Sequence, residues 1–238
     1  AAAGAAAGYA IDRSLRFNSA DSAYLSRTPS SSGNRKTFTW SGWVKRTAIG
    51  SNDGLLDAGG DSPAGYPYTL LKFRDNDKIS LDQYGANNFY IYTDAQYRDP
   101  SAWYHVVCAV DTTQATQENR VKIYVNGVQQ ALTAGTNWPP QNSDTFVNNA
   151  NELHTIGSDG ANLFDGYLAD VQFVDGQALA PTDFGETDSS GIWQPIEFAG
   201  SYNILGTNLA SATGALPILN TTGDYGGTVA SGVRSDSN

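Results

Sequence analysis

The stretch DGYLADVQFVDGQALAPTDF, from Asp165 to Phe184, carries the clearest strand pattern in the chain. Its first part alternates with period two, and aromatic and β-branched side chains occur on both sides of the pleat. Because neither side is fully polar, the pattern predicts a strand that is either central or covered at its ends. Asp175-Gly176 follows as a tight-turn signal, since glycine accepts positive φ without a Cβ clash. Pro181 then ends any further strand, so the partners of this strand must come from earlier segments.

Several earlier segments repeat the period-two signal. The strongest are residues 37–46 (TFTWSGWVKR), which place Trp40 in the predicted core, and residues 103–111 (WYHVVCAVD). Residues 121–128 (VKIYVNGV) contain Asn126-Gly127, a pair typical of two-residue hairpins. About ten short strands without a helical stretch predict an all-β fold, a two-sheet antiparallel sandwich. Residues 55–67 and 133–150 are predicted to be mainly loop.

The net charge of the chain limits the classes of molecule that it can bind. The 238 residues carry a formal net charge of -10, so the surface repels nucleic-acid phosphates and anionic lipids. No apolar run approaches the roughly 18 residues of a membrane-spanning helix, and AAAGAAAG at the start lacks the regions of a secretory signal. We expect no nucleic-acid binding and no membrane insertion. The lack of Met, even at position 1, indicates a processed product or a piece of a longer chain.

The two ends differ in character from the middle, which predicts three parts. Residues 1–13 are an Ala/Gly-rich arm or linker, residues 14–187 form the β domain, and residues 188–238 are a low-charge C-terminal extension or the start of a further module. Low-complexity ends gain order by packing against a neighbour, because alone they cannot offset their conformational entropy. We therefore predict a homo-oligomer or a multi-subunit assembly.

Candidates for catalysis are few. A Ser-His-Asp triad would need His105 or His154, and neither follows a Gly-x-Ser-x-Gly elbow; His105 is placed to hydrogen-bond across its sheet. Cys108 lies among apolar neighbours, which favours a buried small hydrophobe. Retaining glycoside hydrolysis needs two carboxyl groups about 5 Å apart, and the nearest match, Glu186 with Asp188, lacks the second glutamate. The prediction is a non-enzymatic protein, with a glycan hydrolase on the same fold as the alternative.

Calcium is the one cofactor that the loops leave open. Asp53, Asp57 and Asp61 cluster in one segment, and residues 75–77 (Asp-Asn-Asp) in another, and hard cations prefer several oxygen ligands. Such residues are equally typical of turns, and residues 75–77 are most simply a hairpin tip. We therefore assign no metal ligand and predict no cofactor, with calcium as the alternative.

Ligand binding would depend on exposed aromatic side chains, which can stack on sugar rings. Tyr90 and Tyr92 share one side of their strand, opposite Phe89 and Ile91, so one of these pairs should face away from the core. The wider set of aromatic candidates is Tyr66, Tyr68, Tyr84, Tyr90, Tyr92, Tyr97 and Trp138. The predicted ligand-binding residues are Tyr84, Tyr90, Tyr92 and Trp138; packing or a subunit interface is the alternative role.

The order of these segments resembles the concanavalin A-like jelly roll, in its laminin-G-like branch. The resemblance covers roughly residues 14–186. Three phrases, SLRFNSADSAYLSRTP, KTFTWSGWVKR and DGYLADVQFVDGQALAPTDFGE, further resemble virion proteins of tailed bacteriophages. The resemblance implies a structural virion protein at the particle surface, in a tail fibre, another tail part or a head decoration. Its implied partners are other virion proteins and a host surface glycan.

Overall fold

The computed structural model describes residues 9–59, 67–200, 228–229 and 234–237. Within these ranges no helix is long and apolar enough to cross a membrane. The chain is built from short strands joined by turns, in the following order. The strands are β1 (Arg13–Phe17), β2 (Leu25–Arg27), β3 (Thr37–Arg46), β4 (Asp53–Ala58), β5 (Tyr68–Phe73), β6 (Ile79–Tyr84), β7 (Phe89–Thr93), β8 (Tyr104–Asp111), β9 (Val121–Val125), β10 (Val128–Gln129), β11 (Leu132–Ala134), β12 (His154–Ile156), β13 (Gly166–Asp175), β14 (Gly185–Thr187), β15 (Trp193–Pro195), β16 (Thr228–Val229) and β17 (Arg234–Ser237).

Two antiparallel sheets enclose the main hydrophobic core, and a smaller cluster around Val107, Val174 and Phe184 lies apart from it. The seven-stranded sheet has the order β10-β9-β8-β3-β13-β1-β17, and the eight-stranded sheet has the order β11-β7-β6-β5-β4-β12-β2-β16. The predicted all-β, two-sheet antiparallel sandwich is confirmed. β13 lies between β3 and β1, which confirms the central position among its two predicted alternatives. A two-stranded hairpin of β14 and β15 stands outside both sheets.

The core is formed by the side chains that point inward from the alternating strands. In β3, Phe38, Trp40 and Val44 are fully buried, as the period-two pattern predicts for Trp40. Gly42 stands between them on the same side, where a Cβ would lie 2.8 Å from the Trp40 ring. The missing side chain of Gly42 therefore makes room for the largest residue of the core. Trp43, the next residue, points to the opposite, outer side of the sheet.

One loop prediction is wrong. Residues 55–58, placed in the predicted loop 55–67, belong to β4, and Leu55 and Leu56 are fully buried. A register shift between Gly54 and Leu56 lets both leucines be accommodated while β4 pairs with β5. The Asp and Gly residues of this strand are turn formers in isolation, and long-range partners override that preference here.

Arg46 compensates the negative charge of Asp53 in the interior of the sandwich. The guanidinium is almost fully buried, and its Nε and Nη2 atoms both lie 2.9 Å from Asp53 Oδ2. Nη1 lies 3.0 Å from Asp77 Oδ1, and the Arg46 Cζ atom lies 4.6 Å from the centroid of the Phe73 ring. Because Arg46 ends β3 of one sheet and Asp53 begins β4 of the other, this cluster joins the two sheets.

Replacing Arg46 should therefore destabilise the fold strongly. Arg46→Met leaves the buried carboxylate of Asp53 without its cation, and it removes one of the two arginine partners of Asp77, which keeps Arg98 at 3.1 Å. We expect the free energy of unfolding to fall by about 3–5 kcal/mol. Urea denaturation at neutral pH measures the change. The matched control is Arg16→Met on β1, where the side chain is exposed and the change should stay within about 0.5 kcal/mol. A loss under about 1 kcal/mol for Arg46→Met would contradict this role.

The C-terminal part contributes strands as well. β14 and β15 form a hairpin in which Thr187 pairs with Trp193. The predicted boundary between residues 187 and 188 therefore lies within this hairpin. β17 pairs with β1 at the edge of the seven-stranded sheet, and β16 pairs with β2 in the eight-stranded sheet. Residues 1–8 of the predicted arm lie outside the described residues.

Candidate functional site

The three predicted tyrosines lie together on the outer side of the eight-stranded sheet. Tyr84 is 44% exposed and stacks on Tyr68 with ring centroids 6.1 Å apart. The Tyr90 and Tyr92 rings are 4.9 Å apart. We call these four residues the tyrosine face. The structure thus brings together three of the four predicted ligand-binding residues.

Cations occupy part of the tyrosine face. The Arg74 guanidinium lies 4.5 Å from the Tyr90 ring centroid, and Lys78 Nζ lies 4.7 Å from the Tyr92 centroid. Arg74 Nη1 also donates to Asp82 Oδ2 at 2.9 Å, and burial raises the pKa of Asp82 to about 6. One ring face of Tyr90 and one of Tyr92 are therefore already covered, which leaves Tyr84 as the most open ring.

The remaining aromatic candidates are placed differently. Trp138 is half-buried and packs against the hydrophobic core, so the structure does not group it with the tyrosine face. Tyr97 is 7% exposed and also belongs to the core. Tyr66 lies outside the described residues. Packing accounts for the positions of Trp138 and Tyr97.

The residues considered for catalysis are mostly buried or structural. Cys108 is 1% exposed, and burial raises the pKa of its thiol to about 12, which confirms the buried hydrophobe. His154 Nε2 accepts from the Asn148 backbone N–H at 2.9 Å. Glu186 is exposed on β14. Asp188 Oδ1 accepts from the backbone N–H groups of Ser190 and Ile192, so it caps a turn.

The aspartates considered for calcium have other partners. Asp53 and Asp77 bind Arg46, as described above, and Asp57 is buried within β4. Asp61 lies outside the described residues. Across the described ranges, no group of three or more His, Cys, Asp or Glu side chains is spaced to hold a metal ion.

A second aromatic site lies on the opposite sheet and includes none of the predicted residues. Three of the five tryptophans, Trp43, Trp103 and Trp193, line a cleft of about 200 Å³ on the outer side of the seven-stranded sheet. We call it the tryptophan cleft. Its lining is completed by Ile11, Ala169, Gln194 and Pro195.

Trp193 reaches this cleft because the chain turns back after β13. The Asp188-capped turn leads into β15, which begins at Trp193. The indole lies against Gly127 and Gly185, where an added Cβ would come within 2.4 and 2.5 Å of the ring. Its Nε1 atom donates to His105 Nδ1 at 3.0 Å. Close packing and a directed hydrogen bond therefore hold this wall of the cleft in one position.

The His105 ring contacts two of the tryptophans that line the cleft, Trp43 and Trp193. It stacks on Trp43 with centroids 5.0 Å apart and on Trp193 with centroids 5.9 Å apart. An indole N–H only donates, so Nδ1 must accept and the proton of a neutral imidazole must reside on Nε2. Nε2 then donates to Ser41 Oγ at 2.9 Å, which confirms the predicted cross-sheet hydrogen bond of His105.

Part of the floor is shaped by an irregularity in β13. A register shift between Ala169 and Gln172 places Asp170 at φ 46°, an unusual conformation for a residue with a side chain. Asp170 Oδ1 accepts from the Tyr9 hydroxyl at 3.1 Å and from Gln172 Nε2 at 2.6 Å, and burial raises the pKa of Asp170. Asp170 is therefore a buried residue at a bulge within β13.

Comparison with known proteins places this fold in a family. A family profile described as the concanavalin A-like lectin/glucanases superfamily matches residues 18–183, and the chain belongs to this superfamily. No curated protein sequence matches the chain.

Solved structures of similar fold differ widely in sequence. A heptameric SAP-like pentraxin from Limulus polyphemus is 16% identical with a TM-score of 0.51, over 71% of this chain and 78% of the pentraxin. Domains LG4–5 of the mouse laminin alpha1 chain are 13% identical with a TM-score of 0.50, over 82% of this chain and 47% of the laminin fragment. At these identities the likeness concerns the fold alone.

The hydrogen bond from Trp193 requires a neutral His105, so the stability of the protein should depend on pH. Burial lowers the pKa of His105 to about 3, against about 6.5 when unfolded. The stability that the neutral ring contributes is therefore complete above pH 6.5 and is lost as the pH falls towards 3. We expect the advantage of the wild type over His105→Phe to shrink by about 3 kcal/mol between pH 7 and pH 4.

Urea denaturation of both proteins at the two pH values tests this. Val107→Ala, a non-titrating change on the same strand, serves as the control, and its effect should be the same at both pH values. An effect of His105→Phe that is equal at pH 7 and pH 4 would show that the imidazole is not held neutral by the fold.

Proposed function

We propose that the chain is a non-enzymatic structural protein of a bacteriophage virion that recognises host surface glycans through the tryptophan cleft. The observation that carries the binding role is the fixed arrangement of three indoles around an open cleft. Ligand sites are concave and largely apolar, with a few polar groups that fix orientation. The tryptophan cleft has this composition, because Gln194 is the one polar side chain among six apolar neighbours.

The superfamily supports a glycan as the ligand class. Its description names lectins and glucanases, which are proteins that bind sugars with and without hydrolysis. Among the described residues that line the cleft, none is a carboxylic acid, whereas retaining hydrolysis needs two carboxyl groups about 5 Å apart. The lining therefore favours binding without catalysis over the alternative of a glycan hydrolase.

The virion location rests on sequence. The three phrases at residues 14–29, 36–46 and 165–186 resemble tailed-phage virion proteins, and two of them form β3 and β13 at the centre of the seven-stranded sheet. In this proposal the chain packs on other virion proteins at the particle surface, as an oligomer or within a larger assembly. Mass spectrometry and immunogold imaging of purified particles would test the location; absence of the chain from the particles would contradict it.

Binding to an array of bacterial surface polysaccharides tests the glycan role. Trp103→Ala should weaken binding about tenfold, since one stacked aromatic contact contributes about 1.4 kcal/mol. Tyr84→Ala removes an exposed ring from the tyrosine face and should leave binding unchanged. Loss of binding with Tyr84→Ala but not with Trp103→Ala would assign the site to the tyrosine face. If no polysaccharide binds, the protein has a scaffold role without glycan recognition. Release of reducing ends from a bound polysaccharide would favour the hydrolase.

A further inference from the structure

The charges around the tryptophan cleft differ from those of the tyrosine face. Arg74 and Lys78 lie on the rings of the tyrosine face. In contrast, the residues that line the tryptophan cleft carry no charge. The two aromatic surfaces therefore present different chemistry to a ligand.

Two carboxylates are linked to residues of the cleft lining. Asp170 follows Ala169 in the chain and is itself buried, and Asp188 Oδ2 accepts from the Gln194 amide at 3.5 Å. Both carboxylates accept hydrogen bonds from the protein, Asp170 from Tyr9 and Gln172 and Asp188 from backbone N–H groups. Neither has a cation as partner among the ion pairs of the described residues.

Two cations lie beside the cleft but outside its lining. Lys45 of β3 and Arg16 of β1 both pair with Tyr167, whose ring lies 6.5 Å from the Trp103 ring. An anionic ligand in the cleft would therefore find no cationic partner in the lining. Removing a carboxylate from water without a cationic partner is unfavourable.

The same groups suit hydroxyl donors. Gln194 Nε2 is directed to Asp188, which leaves the Gln194 carbonyl oxygen as an acceptor at the rim. Hydrogen bonds from hydroxyls to carboxylates are stronger than those between neutral groups. An uncharged sugar combines an apolar ring face, which can stack on the indoles, with hydroxyl donors for these acceptors.

We infer that the tryptophan cleft takes uncharged saccharides and rejects sugars that carry a carboxylate. This inference rests on the proposed glycan-binding function and names the class of sugar. The charge-neutral lining, with Asp188 hydrogen-bonded to Gln194, selects the ligand, while His105 and Trp193 keep the wall in place. A ligand with a positive charge is the competing occupant, because indoles also attract cations.

An array of matched oligosaccharides tests the inference with the full chain. Each uronic-acid oligomer is printed beside its carboxyl-reduced form, and each glucosamine oligomer beside its N-acetylated form, together with neutral hexose oligomers. We expect binding to neutral members, at least tenfold weaker binding to their carboxylate counterparts, and about tenfold loss with Trp103→Ala. The control variant is Lys78→Gln on the tyrosine face, which should not change these ratios.

Each other outcome has a defined meaning. Stronger binding to the carboxylate member of a pair, or to free glucosamine over its N-acetylated form, would overturn the choice of uncharged sugars while the glycan-binding function stands. Binding that survives Trp103→Ala but is lost with Lys78→Gln would place the site on the tyrosine face. No binding to any member would overturn the glycan-binding function itself, and the inference with it.

Discussion

The hydrogen bond from Trp193 Nε1 to His105 Nδ1 fastens the segment after β13 to the outer side of the seven-stranded sheet. It requires a neutral imidazole, and burial under the two indoles keeps His105 neutral. The stack of Trp43, His105 and Trp193 then forms a rigid wall, which Trp103 and Ala169 complete as a cleft. Rigidity matters for binding because a preformed site loses less conformational entropy when its ligand enters.

The sandwich itself could be predicted from the sequence to a large extent. Period-two alternation identifies β3, β8, β9 and β13, and Asn126-Gly127 identifies the β9–β10 hairpin, in which both turn residues have positive φ. β4 could not be found this way, because its Asp and Gly residues are turn formers until Arg46 supplies a charge partner. That partner lies in a different sheet, and local spacing does not encode such a contact.

The binding site was less accessible to sequence reasoning than the fold. Alternation predicted that one pair, Tyr90 with Tyr92 or Phe89 with Ile91, faces away from the core, but it could not show that Arg74 and Lys78 would cover two of the rings. The tryptophan cleft depends on a contact between residues 88 positions apart and on a hairpin with strands of three residues. The outward position of Trp43 in β3 was the one available signal, since a large aromatic on the side opposite Trp40 needs a cover or a ligand.

The central claim is that sugars bind at the tryptophan cleft, and indole N–H signals in ¹H–¹⁵N NMR spectra report on it directly. The chain has five tryptophans, of which Trp43, Trp103 and Trp193 line the cleft while Trp40 and Trp138 pack in or against the core. Titration with the neutral oligosaccharide that binds most tightly on the matched array should shift the three cleft signals and leave the signals of Trp40 and Trp138 in place. Saturable binding that leaves all three cleft signals unmoved would contradict the account.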